Sequence, residues 1–356
     1  MQILELDDYN IYVGDIWQQL NQLLAERNYP KIIVIVDDNT SECCLPIFKE
    51  KVENQDFTVI QITAGEVHKN IDTCQQIWQQ MMDSGANRRS LTINIGGGVI
   101  GDMGGFCAST FKRGMDFIQM PTTLLSQVDA SIGGKLGIDF QHIKNSVGVF
   151  NNPQTVMIAP EFLQTLSARE VRSGFAEMIK HALIADQPQW EQLRQITDLT
   201  QVDWADRLIP SLKIKQRIVE EDPFEAGIRK ALNFGHTIGH SVESILLPRE
   251  NHLLHGEAIA IGMITESYIA HKEADLSLSD LEQISDFILN IYDPVLLQTA
   301  DYEAFIQMMR KDKKNEASEI NFTLINPIGE ALINRTCSVE RIVESLDYYN
   351  QRVRMV

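Results

Sequence analysis

Ser90–Asp102 reads SLTINIGGGVIGD. A β-branched apolar run that stops on glycines is a buried strand emptying into a tight turn. Glycines at that point leave the backbone bare enough to approach a pyrophosphate and offer it N–H donors. The spacing is not the common GxGxxG fingerprint, so the turn alone does not establish a dinucleotide site. Outward from it the pattern repeats. KIIVIVDDNT (Lys31–Thr40) reads as a parallel strand with a polar loop at its carboxyl end, and DFTVIQITAG (Asp56–Gly65) reads as another strand. LPIFKEKVE between them predicts a helix, and DFIQM after the glycines predicts a further strand. Strands alternating with helices give a parallel sheet with right-handed crossovers, whose ligands bind at the carboxyl ends of the strands. Asp37, Asn39, Glu66, Lys69 and the Gly96–Gly98 run all fall at such ends.

Beyond about Pro160 the pattern changes. Leu163–Ala185, Trp204–Glu221, Ile228–Leu246 and Gly256–Lys272 carry apolar residues at helical spacing. The expectation is an α/β chain: a parallel-sheet domain over residues 1–160, then a mainly α-helical domain over residues 161–356. NNPQTVMIAPEFL (Asn151–Leu163) is the boundary, and INFTLINPIGEALI from Ile320 predicts a late hairpin. A length of 356 residues agrees with two domains.

The net charge of −18 argues against nucleic acid as a partner. An anionic small substrate would need a local basic pocket to overcome that field. No apolar run is long enough to span a bilayer, and MQILELDDYN lacks the basic and apolar regions of a signal peptide. Cys43, Cys44, Cys74, Cys107 and Cys337 are odd in number and have no CxxC spacing, which suits reduced thiols in the cytoplasm.

The helical half carries a metal-like constellation. His236 and His240 stand four residues apart, on one helix face. Glu177, Lys180 and His181 share a face of another helix, and His255 opens an apolar segment with Gly256 and Glu257. Catalytic zinc commonly takes three protein ligands and keeps a fourth position open. Two of the three histidines with Glu177 fit that pattern. One such histidine alone would more often be an ordinary core or surface residue, so the case rests on all four together. The spacing is not HExxH, so a metalloprotease is not indicated.

In the sheet half, Glu66 or Asp37 suits ribose hydroxyls, and Thr122 and Thr123 offer hydroxyls, although Pro-Thr-Thr also reads as a capped helix start. Lys135 and Lys144, with Lys180, Lys215, Arg229 beside Asn233, Arg113 and the pair Lys313/Lys314, form a basic set suited to phosphate and carboxylate groups.

GGGVIGDMGGF, MPTTLLSQVDASIGGKLGID, KNSVGVF, SGFAEMIKHALI, ALNFGHTIGHSVE and LLHGEAIAIGM together resemble the 3-dehydroquinate synthase family, in order, from about Asp37 to Ala331. The resemblance implies a Rossmann-like first domain, a helical second domain and an active site between them. It also implies tightly held NAD, a divalent metal (Zn2+, or Co2+) and a homodimer. The family's metal ligands fall on Glu177, His236 and His255. Its NAD contacts fall on Asp37, Asn39, Glu66, Lys69, Gly97, Gly98, Val99, Asp102, Thr122, Thr123, Lys144 and Thr165. Its substrate contacts fall on Asp129, Lys135, Asn145, Lys180, Lys215, Arg229, Asn233 and His240, with one of Lys313 and Lys314 as a further contact. Arg113 matches a position that reaches the phosphate from the neighbouring subunit. Asp139, Ile143 and Ala64–Gly65 depart from the family's pattern beside these contacts.

The family's substrate is 3-deoxy-D-arabino-heptulosonate 7-phosphate. The implied sequence is transient oxidation at C5 by NAD, phosphate elimination, re-reduction, ring opening and intramolecular aldol closure. His240, one turn from a ligand, would move a proton. Two enzymatic rivals share the machinery: sister sugar phosphate cyclases, disfavoured by Gly133–Lys135 with Lys215 and Arg229, and a metal-dependent polyol dehydrogenase, which would release NADH. A nucleotide-binding protein without catalysis is disfavoured because the metal and proton-transfer positions are all filled.

Overall fold

The computed structural model describes residues 1–53, 56–141, 143–250, 252–311 and 320–355. Lys313 and Lys314 lie outside these. The chain divides into two compact units: Met1–Ser167 with Asp203–Gln216, and Ala168–Val202 with Arg217–Val356. Asp203–Gln216, expected within the helical half, groups with the first unit and takes Lys215 with it.

The first unit runs β1 (Gln2–Glu5), β2 (Asn10–Val13), α1 (Trp17–Arg27), β3 (Ile32–Asp37), α2 (Asp38–Cys43), α3 (Leu45–Lys51), β4 (Phe57–Ile62), α4 (Ile71–Asp83), β5 (Leu91–Gly96), α5 (Gly98–Thr110), β6 (Asp116–Pro121), β7 (Lys135–Phe140), β8 (Ile143–Phe150) and β9 (Thr155–Ile158). Seven strands form one sheet in the order β1-β2-β9-β6-β5-β3-β4. Its pairings are parallel except β1 with β2. Every residue of β5 is buried, as a strand covered on both faces requires. The period of two sorts β3 between two cores: Ile32, Val34 and Val36 pack with Trp17, Leu20 and Phe48, while Ile33 and Ile35 pack with Ile77, Met81 and Phe106. From β3 the chain moves outward to β4 and then returns to β5 on the other flank. The carboxyl ends of β3 and β5, at Asp37 and Gly96, therefore lie at the point where the strand order reverses, the place such sheets use for ligands.

Two local readings change. The polar loop expected after β3 is helix α2, which begins at once because Asp37 and Thr40 form a reciprocal capping box. Lys135–Phe140 and Ile143–Phe150, a region read for its basic residues and motif matches and not for strands, pair antiparallel as β7 and β8, outside the main sheet.

The second unit holds α6 (Ala168–Ala185) and α7 (Gln187–Leu193). After α8 (Trp204–Glu221) come α9 (His236–Leu246), α10 (His255–Glu273), α11 (Leu278–Ile291), α12 (Tyr302–Arg310), β10 (Asn321–Ile325), β11 (Ala331–Thr336) and α13 (Val339–Val353). β10 and β11 pair antiparallel, as the late hairpin predicted. The continuous helix expected over Ile228–Leu246 is instead a 3-10 turn at Ile228–Asn233 followed by α9. Gly235 breaks it with a left-handed φ of +78°, and a Cβ there would meet Met263 Cγ at 2.8 Å. Helix α10 is the buried centre of the unit and packs on α6 and α9. A Cβ on Gly256 would fall 1.9 Å from the Ser173 carbonyl oxygen of α6, and one on Gly262 would fall 1.8 Å from that of Gly235, so these glycines set the closeness of the three helices. Among the described residues no helix is long and apolar enough to cross a membrane.

Candidate active site

The second unit brings Glu177, His236, His240 and His255 together from three helices. Glu177 is buried in the middle of α6. Its Oε1 lies 3.5 Å from Nε2 of His236 and 3.5 Å from Nε2 of His255. Its Oε2 contacts the ammonium of Lys180, itself buried one turn along the helix. The His240 ring stands 4.9 Å from that of His236 and 5.5 Å from that of His255, and the three histidines have donor nitrogens within 4.8 Å of one another.

The other ring nitrogens explain the aim of these side chains. His236 Nδ1 donates to the Phe234 carbonyl at 3.0 Å, made available by the break before α9. His255 Nδ1 donates to Glu243 Oε2 at 3.3 Å, from α10 across to α9. With Nδ1 occupied on both rings, the Nε2 atoms face the Glu177 carboxylate. Two imidazoles oriented by outer partners, together with a buried carboxylate, form a donor set that fits a divalent cation of the zinc type. Burial alone would depress the His255 imidazole, but its contacts with Glu177 and Glu243 outweigh that and raise it to about 9.

Arg229 and Asn233 occupy the 3-10 turn preceding α9. The Asp222 carboxylate accepts the backbone N–H groups of Ala226, Gly227 and Arg229 at 2.7–3.0 Å, which fixes the loop entering that turn. Arg229 is buried and donates to the Pro223 carbonyl, and Asn233 donates to Glu225 Oε1 at 2.9 Å. Asp222, Glu225 and Glu243 were missed in the sequence. Scattered carboxylates in a chain of net charge −18 carry no signal apart from their partners.

The first unit gathers a second set. Gly97 is the N-cap of α5, so Gly98, Val99 and Asp102 lie on that helix's opening turns, where free N–H groups and the helix dipole favour an anion. A Cβ on Gly97 would approach Thr123 Cγ2 to 3.1 Å. The buried Thr122 donates its backbone N–H to the Gly96 carbonyl, and Thr123 caps the turn through Ser126, so the helix-start reading of Pro-Thr-Thr holds. The buried Lys69 ammonium donates to Asp102 Oδ2 and to Asn145 Oδ1, each at 2.6 Å. Burial would lower its pKa, but the Asp102 and Glu66 carboxylates outweigh this and hold it above the usual lysine range. Lys144 pairs with Glu66 at 3.8 Å. Asp139, one of the departures from the family pattern, accepts the Asn145 N–H at 2.8 Å and so holds the hairpin end that presents Lys144 and Asn145. Lys215 is buried, donates to the Asp129 carbonyl at 2.6 Å and forms an ion pair with Asp129 Oδ1 at 2.7 Å. Asp37 keeps one carboxylate oxygen on its capping partner Thr40. Asn39, Arg113, Lys135 and Thr165 are exposed.

A parallel sheet with a glycine turn at its switch point, in one chain with a helical unit carrying a histidine–carboxylate donor set, defines the class of enzymes that pair a dinucleotide with a divalent cation. Comparison with known proteins narrows that class. The 3-dehydroquinate synthase N-terminal family matches residues 59–173, and the 3-dehydroquinate synthase C-terminal family matches residues 174–315. The chain belongs to the 3-dehydroquinate synthase family. It is 41% identical over 339 residues to the 3-dehydroquinate synthase of Parabacteroides distasonis, covering 95% of this chain and 96% of that one. It is 37% identical over 344 residues to that of Streptococcus pyogenes serotype M3, covering 96% of each. Among solved structures, the 2-epi-5-epi-valiolone synthase of Streptomyces hygroscopicus subsp. jinggangensis, with NAD+ and Zn2+ bound, is similar with a TM-score of 0.85 at 27% identity, covering 99% of both chains.

Proposed function

We propose that this chain converts 3-deoxy-D-arabino-heptulosonate 7-phosphate to 3-dehydroquinate with release of phosphate. The observation that carries the reading is the pair of histidine Nε2 atoms, each 3.5 Å from the buried Glu177 Oε1. When bound, NAD and a divalent cation, zinc in this reading, supply reversible hydride exchange and a Lewis acid.

The chain's own residues do the rest. Glu177, His236 and His255 hold the cation. His240, partly exposed like His255, moves a proton at the substrate hydroxyl. The first turn of α5 receives the NAD pyrophosphate, with Asp37, Asn39, Glu66, Lys69, Thr122, Thr123, Lys144 and Thr165 completing the dinucleotide contacts. Lys135 and Asn145 hold the substrate phosphate, together with Arg113 of a neighbouring subunit in a homodimer. Lys180, Lys215, Arg229 and Asn233 take the substrate carboxylate and hydroxyls, and Asp129 keeps Lys215 in place. The first unit is thus the NAD-binding part and the second the metal-binding part, in an enzyme working in the cytoplasm.

Product analysis on three substrates tests this. Dehydroquinate and phosphate in equal amounts from the heptulosonate phosphate support the reading. Turnover of sedoheptulose 7-phosphate or glucose 6-phosphate instead would move the chain to a sister cyclase, and accumulation of NADH on a polyol would make it a dehydrogenase.

A further inference from the structure

Glu266 lies within α10 and is fully buried, where an isolated carboxylate is costly. Both its oxygens bind the start of α9. Oε2 accepts the N–H of Gly235 at 2.6 Å, and Oε1 accepts that of Ile238 at 3.0 Å. The first N–H groups of a helix find no acceptor inside it, and its positive end favours an anion. A helix usually meets this need with a Ser, Thr, Asp or Asn of its own at the cap. Here the cap position is Gly235, left-handed and without a side chain, so the cap comes from another helix.

That clamp joins the two helices that carry the histidines. α9 opens on His236 and bears His240 one turn later, while α10 opens on His255. Resting on the metal reading above, we propose that Glu266 is a positioning residue for the cation site. By fixing the first turn of α9 against α10, it sets His236 Nε2 and His255 Nε2 at equal reach from Glu177 Oε1. Glu243 also links α9 to α10 through His255 Nδ1, but Glu266 is what meets the backbone N–H groups of the first turn of α9. Met263 and Ile259 pack near Gly235, but neither accepts a hydrogen bond through its side chain.

Glu266→Gln tests the proposal in the full-length chain. The amide keeps the shape, leaves one oxygen to accept, and turns an NH2 toward the second backbone N–H. Zinc is titrated into the metal-free protein against a chromophoric chelator, alongside thermal unfolding and turnover at rising zinc. The variant is expected to bind zinc about 10-fold more weakly than the parent, at the low end of the range for losing a group bonded directly to a metal ligand, because Glu266 acts through the backbone beside His236. Its turnover is expected to recover at saturating zinc. Zinc affinity within about twofold of the parent, with only the unfolding midpoint lowered, would overturn the proposal while leaving the metal reading intact. A parent that binds no zinc would remove the metal reading and this inference with it. If the Gln variant does not fold, Glu266→Asp, which keeps the charge and shortens the reach, takes its place. Failure of both to fold would show that Glu266 holds the unit together rather than the ligands, and would equally overturn the proposal.

Discussion

The decisive geometry at the scale of single residues is that each proposed histidine ligand has its rear nitrogen tied, one to the Phe234 carbonyl and one to Glu243. Such anchoring fixes the tautomer and the ring plane before any cation arrives. His236→Ala is expected to abolish metal binding and turnover together. His240→Ala should retain metal, measured by elemental analysis, while losing about 10²–10⁴-fold in rate, the usual contribution of one general acid or base. A metal-free His240 variant, or a metal-replete His236 variant, would reverse the two assignments. The same contacts give a pH dependence. His255 is raised from 6.5 to about 9, so in the metal-free protein its contribution to stability is fully present below about pH 6.5 and is lost as pH rises through about 9. Cation binding needs the neutral ring. Apparent zinc affinity should therefore rise by about tenfold per pH unit between roughly 6.5 and 9, as read by chelator competition at several pH values. A flat profile would mean that His255 does not shed a proton on binding. The proposed ligands Glu177, His236 and His255 were legible in the sequence because they sit in long, distinctive phrases. Glu243 and Glu266 were not, since a carboxylate on an apolar helix reads as an ordinary surface charge until its partner is known.

Elements bring those residues within reach, and glycines decide how closely. α10 meets α9 at Gly262 and α6 at Gly256, with no room for a methyl group at either crossing. Gly262→Ala is expected to push α9 away from α10, lowering stability by about 1–3 kcal/mol as overpacking does and weakening zinc binding in the same variant. Unchanged zinc affinity with lowered stability would separate packing from ligand placement. The strands of the sheet were readable from β-branched runs, because burial on both faces leaves an unbroken apolar signature. The hairpin β7–β8 was not. β8 has no fully buried residue and β7 buries only Leu136, Gly137 and Ile138, so neither an apolar run nor a clean alternation marks them. The break before α9 was hidden for a related reason: Gly235 and Gly239 stand four residues apart, as on a continuous helix, and only the left-handed φ of the first reveals a helix start.

Across the whole molecule, the two-part organisation was legible from the switch between alternating and all-helical patterns. The grouping of Asp203–Gln216 with the first unit was not, because that segment keeps helical periodicity and its long-range contacts leave no local trace. A cation held by α6, α9 and α10 ties together three helices of the second unit. Chelation should lower the thermal unfolding midpoint, and restored zinc should raise it with concentration, following the linkage that any ligand of the folded state obeys. With a net charge of −18 the chain repels an anionic sugar phosphate at long range, so the proposed substrate contacts, Lys135, Lys180, Lys215 and Arg229 among them, would have to supply the opposing positive charge. The most direct test of the whole account follows phosphate, dehydroquinate and NADH in one assay with heptulosonate phosphate, catalytic NAD and zinc, before and after chelation. Equal phosphate and dehydroquinate with no accumulated NADH, abolished by the chelator and restored by zinc, is the predicted result. Turnover that survives complete removal of metal would contradict it.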